Sequence, residues 1–270
     1  MNFILKTVFI GILFLVALTG CNKVSKNEVR EDFATYFKDF NVDGSFVLYE
    51  EQKDKYTFFN EKQFKQAFLP ASTFKICNAL IGLETGVIKD ENFVIPWDGI
   101  NRSLEKWNSD HDLKTAYKNS TVWYYQELAR RVGNQKMKYW LDKAKYGNAD
   151  TSGGIDKFWL TGGLTITPEQ QINFLKRLRN NQLPFSKRSV DIVKNIMIAK
   201  DTLNYVIRAK TGWAIEEKRM VGWYVGYVEK GNNTYYFSTC IQTPDLKHPD
   251  FVKARIDITN KILKDLRVVK

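Results

Sequence analysis

Apolar positions change their spacing twice along this chain. Near the N-terminus, S-F-V-L-Y-E (45–50) and K-Y-T-F-F (55–59) are dense in aromatic and β-branched residues and are separated by the charged E-Q-K-D (51–54), which predicts a β-hairpin. Ahead of it, Val29–Phe40 has amphipathic spacing and predicts a helix. From about residue 87 to 200 the apolar residues recur three and four apart, predicting helices over 112–118, 121–132, 134–144, 168–179 and 187–198. Thr167-Pro168-Glu169-Gln170 has the form of a helix start, with Thr167 as N-cap and Pro168 in the first position. Near residue 203 the spacing returns to strand type in L-N-Y-V-I-R-A-K-T (203–211), M-V-G-W-Y-V-G-Y-V (220–228) and T-Y-Y-F-S-T-C-I-Q (234–242), with the turn K-G-N-N before the last run. That is the pattern of an antiparallel meander. A closing helix is predicted over 249–266, with Val252, Ile256, Leu263 and Leu266 on one stripe. Strands at both ends with helices between them predict an α+β fold: one antiparallel sheet built from the N- and C-terminal strands, flanked by helices, with a mostly helical region inserted at about 87–200.

The chain has 270 residues, 44% hydrophobic and 26% charged, which fits one sizeable folded domain rather than disorder. Its first twenty residues stand apart. Lys6 is their one charge, and the apolar stretch Thr7–Leu18 that follows is too short and too N-terminal for a comfortable membrane span, so residues 1–20 are read as a signal peptide. The leader ends L-T-G-C (18–21), which resembles a bacterial lipobox. That resemblance implies lipidation at Cys21, a tether over 21–28, a folded domain over 29–270, and a membrane-anchored protein of the periplasm or cell envelope. An ordinary signal peptide with an unrelated cysteine is the alternative.

The net charge is +11, spread along the chain instead of clustered with aromatics. With export this speaks against nucleic acid and leaves open an anionic envelope surface or an anionic substrate. Cys77 falls in an apolar helix pattern and Cys240 in a strand pattern, so two separate buried thiols are expected rather than a disulfide. His111 and His248 lie far apart, with no H-E-x-x-H or C-x-x-C, and no metal site is expected.

P-A-S-T-F-K (70–75) opens a further apolar run ending at Gly86. Ser72 is expected at a helix N-terminus and Lys75 one turn along on the same face. Alone, the pair reads more readily as an N-cap and a solvated lysine. A second motif shifts the balance: Lys210-Thr211-Gly212, at the end of the first meander strand. A nucleophilic serine needs a base and donors for an oxyanion. The chain has no G-x-S-x-G, so a serine–histidine arrangement has no support, whereas S-x-x-K followed by K-T-G is the motif pair of serine β-lactamases and penicillin-binding proteins.

Between the two motifs stand Ser120-Thr121-Val122, Tyr146-Gly147-Asn148 and Phe158-Trp159-Leu160. The combination resembles the class D, or OXA-type, serine β-lactamases, from G-S-F-V-L-Y (44–49) through W-N-S-D (107–110) and Q-E-L-A-R (126–130) to G-W-Y-V-G (222–226). The resemblance implies that Ser72 attacks a β-lactam carbonyl and that the backbone N–H groups of Ser72 and Trp213 hold the oxyanion. It implies that Lys75, deprotonated in a dry pocket of Val122, Trp159, Leu160 and Phe74, reacts with CO2 to become an N-carboxylated base, steadied by the Trp159 indole. Val122 stands where the class A pattern S-D-N has asparagine. Ser120 would pass a proton to the ring nitrogen with help from Lys210. Thr211, Gly212, Trp213, Lys210 and Arg255 would meet the substrate, with Arg255 on its carboxylate. CO2 or bicarbonate is the one small molecule required besides the β-lactam, with no cofactor.

Blander readings stand beside these. Trp159 alone reads as core, Arg255 as a surface charge, Tyr146–Asn148 as a turn closing a helix, Asn78 as a local polar contact, and Trp107 as either cleft lining or a structural aromatic. Three other functions remain open: a β-lactam sensor that stays acylated, against which a chain of one domain ending at Lys270 argues; a penicillin-binding peptidase; and a non-catalytic binding lipoprotein, against which the intact Ser72, Lys75, Ser120 and Lys210 argue. Substrate preference is expected to depend on loops at 98–112 and 213–220.

Overall fold

β2 (Asp43–Glu50) and β3 (Lys55–Phe59) form the expected hairpin, closed where Glu50 pairs with Lys55. The computed structural model describes residues 27–270, so the leader and Cys21 lie outside the described residues. The meander is β5 (Val206–Glu216), β6 (Arg219–Lys230) and β7 (Asn233–Thr243). β2 pairs antiparallel with β7 from Asp43–Gln242 to Glu50–Tyr235, which joins the two ends of the chain into one seven-stranded sheet; with the short strands β1 (Glu28–Val29) and β4 (Ile198–Asp201) at its edges, the order is β1-β3-β2-β7-β6-β5-β4. β2 is buried on both faces, which is why its sequence is a near-continuous apolar run rather than an alternation.

One face of the sheet packs on α1 (Ala34–Lys38) and α8 (Phe251–Asp265) through Phe33, Phe37, Ile258 and Ile262. The other packs on the inserted helices: α2 (Lys75–Glu84), α3 (Leu113–Asn119), α4 (Val122–Val132), α5 (Asn134–Ala144), α6 (Pro168–Arg179) and α7 (Lys187–Ile196). α6 starts as expected, with reciprocal bonds between Thr167 and Gln170 and Pro168 in the first turn. α2 is buried from Lys75 to Leu83, all the way round, so a lysine at its head is taken out of water by the fold itself.

Several expectations are corrected. Val29–Phe40 is not one helix: Glu28–Val29 forms a short strand, β1, parallel to β3, followed by a 3₁₀ turn at Glu31–Phe33 and the short α1. Glu28, counted with the tether, is therefore part of the sheet. The buried stripe of α8 runs through Phe251, Ala254, Arg255, Ile258, Thr259 and Ile262, and Val252 faces solvent. The helix expected to 198 stops at Ile196, and Ile198–Asp201 forms an edge strand, β4, on β5. The 213–220 segment is not a loop: β5 and β6 run through it and turn at Glu217 and Lys218, both with positive φ, the backbone of a tight hairpin. Cys77 and Cys240 are separate buried thiols, as expected.

Candidate active site

Pro70 is followed by Ala71, a buried residue forced to φ 48°, and then by a 3₁₀ turn, Ala71–Phe74, that runs straight into α2. Ser72 therefore sits in the turn before the α-helix rather than at its cap. A left-handed alanine is uncommon and strained, and here it sets the direction of the next side chain. The turn is held from three sides: Ala71 N–H donates to Trp159 O at 3.0 Å, Trp223 Nε1 to Leu69 O at 2.9 Å, and Gln171 Nε2 to Thr73 Oγ1 at 2.9 Å. β5 presses against it closely enough that a Cβ on Gly212 would sit 2.9 Å from Pro70 O.

Lys75 Nζ lies 2.6 Å from Ser72 Oγ and over the Tyr125 ring, 5.3 Å from its centroid. Its side chain has no exposure to solvent. Burial, reinforced by the Lys210 charge, holds this amine well below the ordinary lysine range. A neutral Nζ carries a lone pair, so at this distance it can accept the Ser72 proton.

Ser120 takes the C′ position of α3 at φ 55°. Ser120 N–H bonds to Tyr117 O at 3.1 Å and Thr121 N–H to Ala116 O at 2.9 Å, the pair of bonds that ordinarily calls for glycine at this place. Serine there exposes a hydroxyl between two helices, and Lys210 Nζ donates to it at 3.0 Å. Lys210 is 4% exposed and lies over the Tyr117 ring at 5.5 Å. Burial, then the charges of Arg255 and Lys106, lower its pKa to about 7. It can therefore gain or lose a proton at neutral pH.

Trp159 is fully buried, its ring 5.2 Å from that of Phe74, and its Nε1–H has no partner among the described residues. A buried N–H left unpaired costs about 1–3 kcal/mol. Leu160 is half-buried and packs against this apolar cluster, and Val122, at the start of α4, is half-buried. The loop carrying Trp159 is fastened by Tyr146–Asn148: Tyr146 packs edge-on against Phe74, Asn148 Nδ2 donates to Gly163 O at 2.8 Å, and Asn148 Oδ1 accepts from Thr165 N–H at 3.0 Å. Gly147 has φ 55°, and a Cβ there would fall 2.2 Å from Thr165 O, a backbone atom that cannot yield without moving the loop. Gly147→Ala is accordingly expected to destabilise the protein by about 2–4 kcal/mol, measured by urea unfolding. An unchanged midpoint would show that the loop is not fastened here.

Arg255 is 6% exposed, and its Nε and Nη1 find no partner among the described residues. Burial lowers its pKa to about 10, so it stays cationic at neutral pH. A buried guanidinium whose charge reaches Lys210 and which has no ion-pair partner among the described residues is costly on its own and favours an anionic guest. Thr211 is half-buried on β5 with Oγ1 3.5 Å from Lys210 Nζ, and Trp213 is 45% exposed at the rim.

The structure thus brings together Ser72 with Lys75, and Ser120 with Lys210 and Thr211, while Arg255 acts on Lys210 through its charge. Sequence reasoning missed Tyr125 and Tyr117, the rings against the two lysines, although W-Y-Y directly after S-T-V put an aromatic one turn from Val122. It also missed Thr73 and Gln171. Trp107 proves to brace the Ser120 turn, donating from Nε1 to Asn119 O at 3.0 Å, and Asn78 Nδ2 donates to Tyr125 O at 3.2 Å.

A family model described as the penicillin binding protein transpeptidase domain matches residues 35–266. Beta-lactamase OXA-48 of Klebsiella pneumoniae is 40% identical over 267 residues, covering 98% of this chain and 100% of that protein. Regulatory protein BlaR1 of Bacillus licheniformis is 37% identical over 217 residues, which is 80% of this chain and 36% of that protein. Among solved structures, a class D β-lactamase, YbXI from Nostoc, superposes with a TM-score of 0.83 at 44% identity, covering 87% of this chain and 98% of that one.

Proposed function

The chain belongs to the class D β-lactamases, enzymes that hydrolyse β-lactams, and we propose that it does so through an acyl-enzyme on Ser72 with N-carboxylated Lys75 as the base, protecting its host cell from β-lactam antibiotics. The observation that carries this reading is a fully buried lysine, its pKa held well below the ordinary range by burial, 2.6 Å from a serine hydroxyl, together with a buried, unpartnered indole N–H on Trp159. A neutral amine can react with CO2, and an orphaned Trp159 Nε1–H fits a carboxylate partner better than it fits none. Carboxylated, Lys75 supplies an oxygen base for deprotonating the serine and later a water.

The chain's own residues do the rest. Ser72 Oγ attacks the β-lactam carbonyl, and the backbone N–H groups of Ser72 and Trp213 receive the oxyanion. The ring C–N bond breaks as Ser120 gives its proton to the departing nitrogen, and Lys210, with a pKa near neutrality, eases that transfer. Thr211, Lys210 and Arg255 hold the substrate carboxylate, with Gly212 letting β5 pass close to the nucleophile turn. Val122 and Leu160 keep the pocket apolar, which keeps the lysine neutral.

The test is turnover of a chromogenic cephalosporin with and without bicarbonate, alongside mass spectrometry of Ser72 during the reaction. Sustained turnover stimulated by bicarbonate is expected. A single stoichiometric burst leaving a stable adduct would make the domain a sensor, as in the protein whose part it resembles, and turnover indifferent to bicarbonate would overturn the carboxylated lysine.

A further inference from the structure

A cavity of ≈ 850 Å³ opens near the site without Ser72 among its lining residues. It lies beside the site, between α3, the start of β4 and the edge of β5, and it shares Lys210 and Thr211 with the residues described above. β4 pairs with β5 only as far as Arg208, so from Lys210 onward no strand covers that edge. Along β5, Gly212 lies against the nucleophile turn while Ala209, Lys210 and Thr211 line the cavity, so the cavity meets the site at Lys210 and Thr211, the residues placed on the substrate carboxylate. Its walls are apolar at Tyr117, Met197, Tyr224 and Ile256. Its mouth carries Lys114 and Lys118, one turn apart and exposed on α3, against one carboxylate, Glu91; none of the three is in an ion pair among the described residues.

In a cephalosporin, the carbon bearing the carboxylate is bonded directly to the carbon bearing the exocyclic ring substituent. A carboxylate met by Lys210, Thr211 and Arg255 sets that substituent at the opening of the cavity. Resting on the β-lactamase reading, we propose that the cavity receives this substituent and, through Lys114 and Lys118, favours arms that end in a carboxylate or sulfonate over arms that end in a cation. Penicillins carry only two methyl groups at the corresponding place and leave the cavity unused.

The experiment compares two cephalosporins that differ only in this arm, one ending in a sulfonate and one in a pyridinium, with benzylpenicillin as the reference. In the double variant Lys114→Gln, Lys118→Gln the ratio of kcat/KM for the anionic over the cationic arm is expected to fall by about threefold to tenfold, mostly through KM, while benzylpenicillin changes by less than about twofold. Ala199→Trp, an exposed cavity residue, is expected to raise KM for both long-armed substrates and to spare benzylpenicillin. An unchanged ratio, or an equal fall for all three substrates, overturns the proposal while leaving the β-lactamase reading intact. Loss of that reading would show instead as no turnover of benzylpenicillin by the unmodified protein.

Discussion

Lys75→Ala is expected to lower β-lactam turnover by roughly 10³-fold or more, the scale of a lost general base. Lys75 is the one side chain bonded to Ser72 Oγ among the described residues, and neither histidine belongs to the site's hydrogen-bond network. The loss is not expected to come from unfolding. Burial lowers the Lys75 pKa well below 10.5, so the unfolded chain binds more protons than the folded one and wild-type stability rises with pH up to the ordinary lysine value. Alanine removes that cost and that slope, leaving a cavity in exchange, and the variant is expected to unfold within about 2 kcal/mol of wild type at neutral pH. Steady-state rates and urea titrations at two pH values check both halves. A variant that folds and keeps most of its turnover would place the base elsewhere.

The parts of this molecule that could be read from its sequence are those in which local chemistry and final environment agree. The β2–β3 hairpin and the meander are dense in residues that suit a pleated sheet, and Thr167 with Pro168 caps α6 by contacts made within one turn. β4 was illegible because Ile198–Asp201 is exposed throughout and owes its form to its neighbour β5, not to an alternation of its own. β1 broke the expected first helix for the same reason, since Glu28 and Val29 answer to the open edge of β3.

The site divides along the same line. Ser72 with Lys75 and Ser120 with Lys210 stood in motifs whose order pointed to their chemistry, though the φ of Ala71 and the glycine-like turn at Ser120 did not show. Arg255 was reached only through the family resemblance: one arginine in a helix looks like any other until the fold buries it, brings its charge to bear on Lys210 and leaves Nε and Nη1 without a partner among the described residues. Nothing in the sequence marked Tyr117 and Tyr125; they are buried in the core, and their rings also lie against the two lysines.

Trp159→Phe isolates one atom of that arrangement. It keeps an aromatic ring against Phe74 and Phe158 and deletes the buried Nε1–H. If the N–H steadies a carboxylated lysine, its loss removes a hydrogen bond to a charged group, about 1.5–3 kcal/mol, which converts to roughly 10- to 100-fold weaker retention of the carboxyl group. Acylation can still draw on the Lys75 amine 2.6 Å from Ser72, but release of the acyl group needs a base for water. The expected result is therefore a burst followed by slow turnover, an acyl adduct on Ser72 visible by mass spectrometry, and recovery of the rate at high bicarbonate. A merely structural Trp159 would lower stability without moving the bicarbonate midpoint. Normal turnover with an unchanged midpoint would remove the indole from the mechanism and leave its unpaired N–H as a packing defect.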